Sequence, residues 1–312
     1  MKIDAVYIVC YRHDVEFTRV LVASIRHWYP VIPIYLVKDF YYGPFDTGEI
    51  EKYWNVGVFK TERKALGWGF GKWEPIFQKA RQRFLVLDSD IVFAGPVLEE
   101  LEKHGEDFIV QREEPSDDFV KSHYFDLEKL KQVDPEFRFP GFTFNGGQLV
   151  ATSGLIRRED FEPWLYWKEP PVMRRPDIFK MGDQGLTNYI LMKKAQRGEI
   201  TLGRHRMMEI PTTMVVKNIK IAELDFKSPY PLLIHWCGLK RPFMRQMERA
   251  DILLYFQDLY YAKVPLGRLK RWFRGSYELI SFWKSKVRLM CRRIGGVRGL
   301  LVSNDSNDKG TT

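Results

Sequence analysis

Through its first third the chain alternates short apolar runs with amphipathic ones, and few folds accept that alternation. Asp4 to Cys10, Ile34 to Val37, Val56 to Phe59 and Phe84 to Leu87 read as strands. Between them apolar residues fall at helical spacing: Phe17, Val20, Leu21, Ile25 and Trp28 share a face of Val15 to Trp28, and Pro30 stops the run. Further helices are expected around Gly48 to Trp54 and from Trp73 to Arg81. This pattern predicts an α/β domain whose sheet is mixed, mostly parallel and flanked by helices. The 312 residues, 45% hydrophobic and 29% charged, suffice to bury a core without disulfides and exclude wholesale disorder and fibrous repeats.

Beyond this unit a strand is expected at Phe108 to Gln111, then a long polar loop carrying Pro115, Pro135 and Pro140. Helices follow near Asp160 to Lys168 and Asp183 to Lys194, then a strand from Pro231 to His235 and helices from Met244 to Ala262. The net charge of +9 sits at one end: residues 263–300 carry eleven Lys or Arg against Glu278 alone, and residues 1–262 have no net charge. Residues 1–262 therefore read as the catalytic or binding domain, 263–303 as a basic amphipathic helical extension and 304–312 as a disordered tail. In the extension Leu266, Leu269, Trp272, Phe273, Phe282 and Trp283 interleave with cations, which suits an anionic membrane surface. The alternative is a helix packing its apolar face on the body; a nucleic-acid partner is not expected for a neutral body. The chain has no run of about 18 apolar residues, and Met1 to Val9 has no signal-peptide apolar region. Cys10, Cys237 and Cys291 are odd in number and widely spaced. A cytoplasmic, reducing location is expected, with at most peripheral attachment to the cytoplasmic membrane face.

The strongest chemical signal is Asp88-Ser89-Asp90, delivered just past the strand that ends at Leu87. Open α/β sheets bind ligands at the carboxyl ends of their strands, and extended backbone sends residues i and i+2 the same way. Asp88 and Asp90 can thus hold a hard divalent cation whose remaining positions go to water and phosphate oxygens. His235 ends a second apolar strand, and a mixed carboxylate and imidazole set suits manganese better than calcium. Lys240 and Arg241 follow it, placing cations near phosphates where Gly238 lets backbone approach. Tyr11 and Arg12 follow the first strand, a place for a nucleoside, with Tyr11 a stacking partner for the base. Gly67, Gly69 and Gly71 precede Lys72 at a helix start, where backbone N–H groups can reach phosphate or sugar, or where the loop serves as a lid. Trp164, Trp167, Pro170 and Pro171 read either as an acceptor platform or as core.

The Asp88-Ser89-Asp90 run, Phe144-Asn145-Gly146-Gly147, Asp183-Gln184-Gly185-Leu186-Thr187-Asn188 and His235-Trp236-Cys237-Gly238-Leu239-Lys240-Arg241-Pro242-Phe243 occur in a telling order. In order and approximate spacing they resemble GT-A-fold nucleotide-sugar glycosyltransferases, and most of all glycosyltransferase family 8 and its relatives, over about residues 4–245. The resemblance implies a Rossmann-like GT-A fold and transfer of a hexose from a UDP-sugar to a glycan or lipid-linked acceptor, as in polysaccharide biosynthesis. It implies that Asp88, Asp90 and His235 bind Mn2+ (or Mg2+) bridging the diphosphate, with Ser89 between the carboxylates at the nucleotide. Asn145, Gly146 and Gly147 would line the donor-sugar site, and Asp183 and Gln184 would approach the donor sugar and its anomeric carbon. Gly238 and Arg241 fall on the segment that closes over the diphosphate.

Retention at the anomeric carbon follows from the resemblance alone. Asp183 acts either as a base beside the acceptor hydroxyl or as a hydrogen-bonding partner of a sugar hydroxyl. The sequence departs from the family pattern at Arg241 for Lys, Phe243 for Trp and Gly147 for a small aliphatic residue; an arginine still neutralises phosphate. Two other functions are open. A sugar-1-phosphate nucleotidyltransferase would carry a Gly-rich loop after strand one, and Val9-Cys10-Tyr11-Arg12-His13-Asp14 has none. A non-catalytic binding protein tethered to a membrane would not need Asp88, Asp90 and His235 intact.

Overall fold

The structure is a computed structural model that describes residues 1–67, 69–224, 228–238 and 243–276, with 280, 283, 284 and 287 further on. In chain order its first half comprises β1 (Ala5–Tyr11), α1 (Val15–Trp28), β2 (Ile34–Asp39), α2 (Gly48–Trp54), β3 (Gly57–Phe59), α3 (Trp73–Ile76), β4 (Arg83–Asp88), β5 (Ile91–Phe93), α4 (Val97–Leu101) and β6 (Phe108–Gln111). There follow α5 (Asp117–His123), α6 (Leu127–Val133), β7 (Gln148–Thr152), β8 (Leu165–Tyr166), β9 (Val172–Met173) and α7 (Asp183–Gln196). The remainder is β10 (Leu202–His205), β11 (Met208–Glu209), α8 (Met214–Asn218), β12 (Leu233–His235) and α9 (Ala250–Lys263).

The central sheet has the order β10-β6-β7-β4-β1-β2-β3. All its pairings are parallel except those of β7, which runs antiparallel to both β4 and β6. Alternate residues feed two cores: Val6, Ile8, Leu85 and Leu87 pack with α1, α2 and α9, while Ala5, Tyr7, Val9, Phe84 and Val86 pack with α3, α5 and α7. Burial on both faces is why β1 and β4 read as continuous apolar runs rather than alternating ones. A second sheet, β11-β12-β5, extends from the carboxyl end of β4.

The fold expectation holds, but several local ones do not. The helix expected from Trp73 to Arg81 stops at Ile76. Phe77 turns into an aromatic cluster instead, 5.9 Å from the Trp73 ring and 5.6 Å from Phe161. The helix expected over Asp160 to Lys168 is a single 3-10 turn, Arg158–Phe161, followed by β8. Trp164 packs on Phe179 and Tyr189 and Trp167 on Phe77 and Phe161, so the two rings serve different neighbours, whereas a helix would put residues three apart on one face. The polar loop after β6 contains α5 and α6, whose N-caps Ser116 and Asp126 accept from Phe119 N and Lys129 N.

Past α9 the chain turns at Leu266 and is helical over 267–276. Three of its four cations reach carboxylates of the body: Lys270 bonds Glu49, Arg271 Nε bonds Asp258 at 2.7 Å and Arg274 lies 3.8 Å from Glu16, while Arg268 is exposed. Leu269, Trp272 and Phe273 are exposed, as are Ile280, Trp283 and Val287. Over 267–276 the reading in which the apolar face packs on the body is therefore inverted. The rest of the extension expected to 303, and the 304–312 tail, lie outside the described residues, apart from those positions. No helix among the described residues is long and apolar enough to cross a membrane.

Candidate active site

The strand β4 brings Asp88 to the carboxyl edge of the sheet, and the turn after it leads directly into β5. β12 pairs antiparallel with β5, His235 opposite Ile91, and Trp236 N donates to Asp90 O at 3.1 Å. This cross-strand register carries an imidazole to a carboxylate far away in sequence: His235 Nε2 lies 3.3 Å from Asp90 Oδ1. Asp88, Asp90 and His235 offer ligand atoms that all lie within 4.8 Å of one another. Asp90 and His235 are buried, and His235 Nδ1 has no hydrogen-bond partner among the described residues. Two carboxylates and an imidazole so gathered form a donor set that fits Mn2+ or Mg2+.

Lys72 is the hub of the site. Its ammonium, fully buried beneath the cavity, donates to Gly146 O at 2.6 Å, pairs with Asp88 at 2.9 Å and lies 3.8 Å from Asp183. Burial opposes its charge, but Asp88 and Asp183 outweigh burial and raise its pKa, so it is a cation at neutral pH. Asp183 opens α7. Burial, opposed by Lys72 and reinforced by Asp88, pushes its carboxyl up to about 7. Of the three glycines before Lys72, Gly67 has its N–H taken up: it bonds the buried Asp39 carboxylate at 2.6 Å, as Leu66 N does at 3.0 Å. Gly69 has φ +84°, and a Cβ there would lie 2.5 Å from both Asp183 carboxylate oxygens, so only glycine fits.

The Asn145 turn is folded by its own side chain, whose Oδ1 accepts from Gly147 N at 2.8 Å, while Gly147 O accepts from Asp88 N at 2.7 Å. Asn188, one turn into α7, clamps this segment: its side chain exchanges hydrogen bonds with Phe144 N and O and donates to Gln184 O. The glycine that stands at 147 has a steric reason, since a Cβ there would lie 2.2 Å from His235 Cε1.

These groups line one cavity of about 470 Å3: Tyr11, Lys72, Asp88, Ser89, Asp90, Asn145, Gly146, Gly147, Asp183, Gln184, His235 and Gly238. Arg12 is exposed and is not part of its lining, because the chain turns away after Tyr11. Lys240 and Arg241 lie outside the described residues. Trp164 and Trp167 belong to the aromatic core, not to the cavity. Sequence reading missed Glu113, Phe119, His123 and Tyr124, which line the same space. Glu113 stands two residues past β6, so the strand-end argument that singled out Asp88 could have found it. A larger groove of about 800 Å3 lies elsewhere, and its Arg158 and Glu74 already pair at 2.8 Å.

No protein-family model and no curated protein matches the sequence. Solved structures do match the fold. The galactosyltransferase LgtC, in complex with donor and acceptor sugar analogues, superposes with a TM-score of 0.53 at 15% identity, covering 84% of this chain and 97% of that one. This chain has the GT-A glycosyltransferase fold. The bifunctional glycosyltransferase WbbM gives 0.53 at 14% identity over 86% of this chain and 51% of that one. GlyE of Streptococcus pneumoniae gives 0.50 at 14% over 88% and 64%. The chain thus spans about half the length of WbbM and under two thirds of GlyE.

Proposed function

We propose that this protein is a metal-dependent glycosyltransferase that moves a hexose from a UDP-sugar to a glycan or lipid-linked acceptor, with retention. The observation that carries the reading is the meeting of Asp88, Asp90 and His235, within 4.8 Å, in one cavity with Lys72, Asn145, Asp183 and Gln184. Asp88, Asp90 and His235 would hold Mn2+ or Mg2+, which when bound supplies Lewis-acid neutralisation of the leaving diphosphate. Tyr11, at the end of β1, would stack the uracil, with Ser89 and Gly238 against the nucleotide. Lys72 keeps a buried positive charge between Asp88 and Asp183, where negative charge would otherwise accumulate as the diphosphate binds. The Asn145 turn and Gln184 would orient the donor sugar, and Asp183 would accept a hydrogen bond from a sugar hydroxyl. Lys240 and Arg241 would add phosphate contacts.

The exposed stripe of Leu269, Trp272, Phe273, Ile280, Trp283 and Val287, set in a basic extension, supports peripheral docking on an anionic cytoplasmic membrane face.

Calorimetric titration of UDP with Mn2+ and then with EDTA, into wild type and Asp90→Ala, tests the site. Binding that needs the metal and vanishes in the variant is expected. Transfer from a UDP-sugar that survives Asp88→Ala and Asp90→Ala together would overturn the reading.

A further inference from the structure

The sheet order leaves one wall of the cavity without a role. β1, with Tyr11 at its end, and β6, with Glu113 just past its end, flank the pair β4 and β7 that carry Asp88 and the Asn145 turn. On the donor reading proposed above, the base, diphosphate and donor sugar occupy the ends of β1, β4 and β7 in turn, and the second substrate is left the end of β6. There α5 presents Phe119, 43% exposed, stacked on His123 with centroids 4.1 Å apart and planes 10° from parallel. Ser122 Oγ lies 2.8 Å from His123 Nδ1 and holds the imidazole in that orientation. Beside the rings Glu113, itself half-buried, accepts from the Tyr124 hydroxyl at 3.0 Å. Phe119, His123, Glu113 and Tyr124 all line the cavity.

We infer that this wall is an acceptor subsite that stacks the C–H face of a pyranose on the Phe119–His123 pair, while Glu113 accepts hydrogen bonds from its hydroxyls. A pyranose offers both surfaces at once: axial C–H groups on one face and donors around the rim. An acyl chain would cover the rings but bury a carboxylate without added donors, which is costly. An acidic acceptor would set like charges together at Glu113.

The test uses n-octyl glycosides of glucose, galactose and mannose, below their micellar concentrations, with the full-length protein loaded with UDP and Mn2+. Saturation-transfer NMR reports separately on ring and alkyl protons. For at least one glycoside, saturation is expected on the sugar-ring protons; Phe119→Ala should weaken binding by about tenfold and Phe119→Trp should retain it. Thermal melts of both variants check the fold. Saturation confined to the octyl chain, or equal binding in wild type and Phe119→Ala, overturns the inference. So does the absence of any glycoside binding to a wild type that binds UDP. A wild type that fails to bind UDP overturns the donor-site reading instead.

Discussion

Single side chains set the electrostatics of this site. A Cβ at position 147 would collide with the His235 ring, so Gly147→Ala should displace the imidazole. Manganese affinity, read by electron paramagnetic resonance of the free ion, is expected to fall by about 10- to 100-fold, as when the support of a metal ligand is lost. Asp183 titrates near 7 in the folded chain, against roughly 3.9 when unfolded. Between those values the unfolded chain has released a proton that the folded chain keeps, so this group's contribution to stability declines as pH rises from about 4 to about 7. Asp183→Asn should flatten that decline, and denaturant midpoints at both ends of the window measure the difference. None of this is visible in the Asp183-Gln184-Gly185 run itself, because the shift comes from burial and Asp88 acting against Lys72.

At the scale of elements, the strands were more legible than the helices. β1, β2 and β4 announce themselves because both of their faces are buried. The helix boundaries at Ile76 and Phe161 were set by aromatic neighbours remote in sequence, which local periodicity does not report. Asn188 shows what joins elements: fully buried, it ties α7 to the Asn145 turn through two hydrogen bonds to Phe144, and a third holds its side chain to Gln184 O within α7. Asn188→Ala leaves buried backbone groups unpaired and should cost about 3 kcal/mol of stability. Chemical denaturation measures that loss, and UDP calorimetry should show weaker binding as the turn loosens.

For the whole molecule, the basic end is divided in use. Lys270, Arg271 and Arg274 latch the helix over 267–276 to Glu49, Asp258 and Glu16, and the apolar residues are left facing out. Replacing Trp272, Phe273 and Trp283 together by Ser should therefore abolish sedimentation with anionic liposomes without lowering UDP affinity; full retention on the liposomes would count against membrane docking. The sequence alone determined the α/β class, the strand that delivers Asp88 and then Asp90 at its carboxyl end, and the separation of a neutral body from a basic end. Each rests on near neighbours in the chain: alternation, strand-end position and local charge. Tertiary structure realised the meeting of His235 with Asp90 that the order of motifs implied, and it alone decided that Lys72 sits buried between two carboxylates and that Phe119 and Glu113 line the same cavity as Asp88. Those juxtapositions depend on the β5–β12 register and the order of strands across the sheet, which are fixed by the packing of two cores and not by any local run of residues.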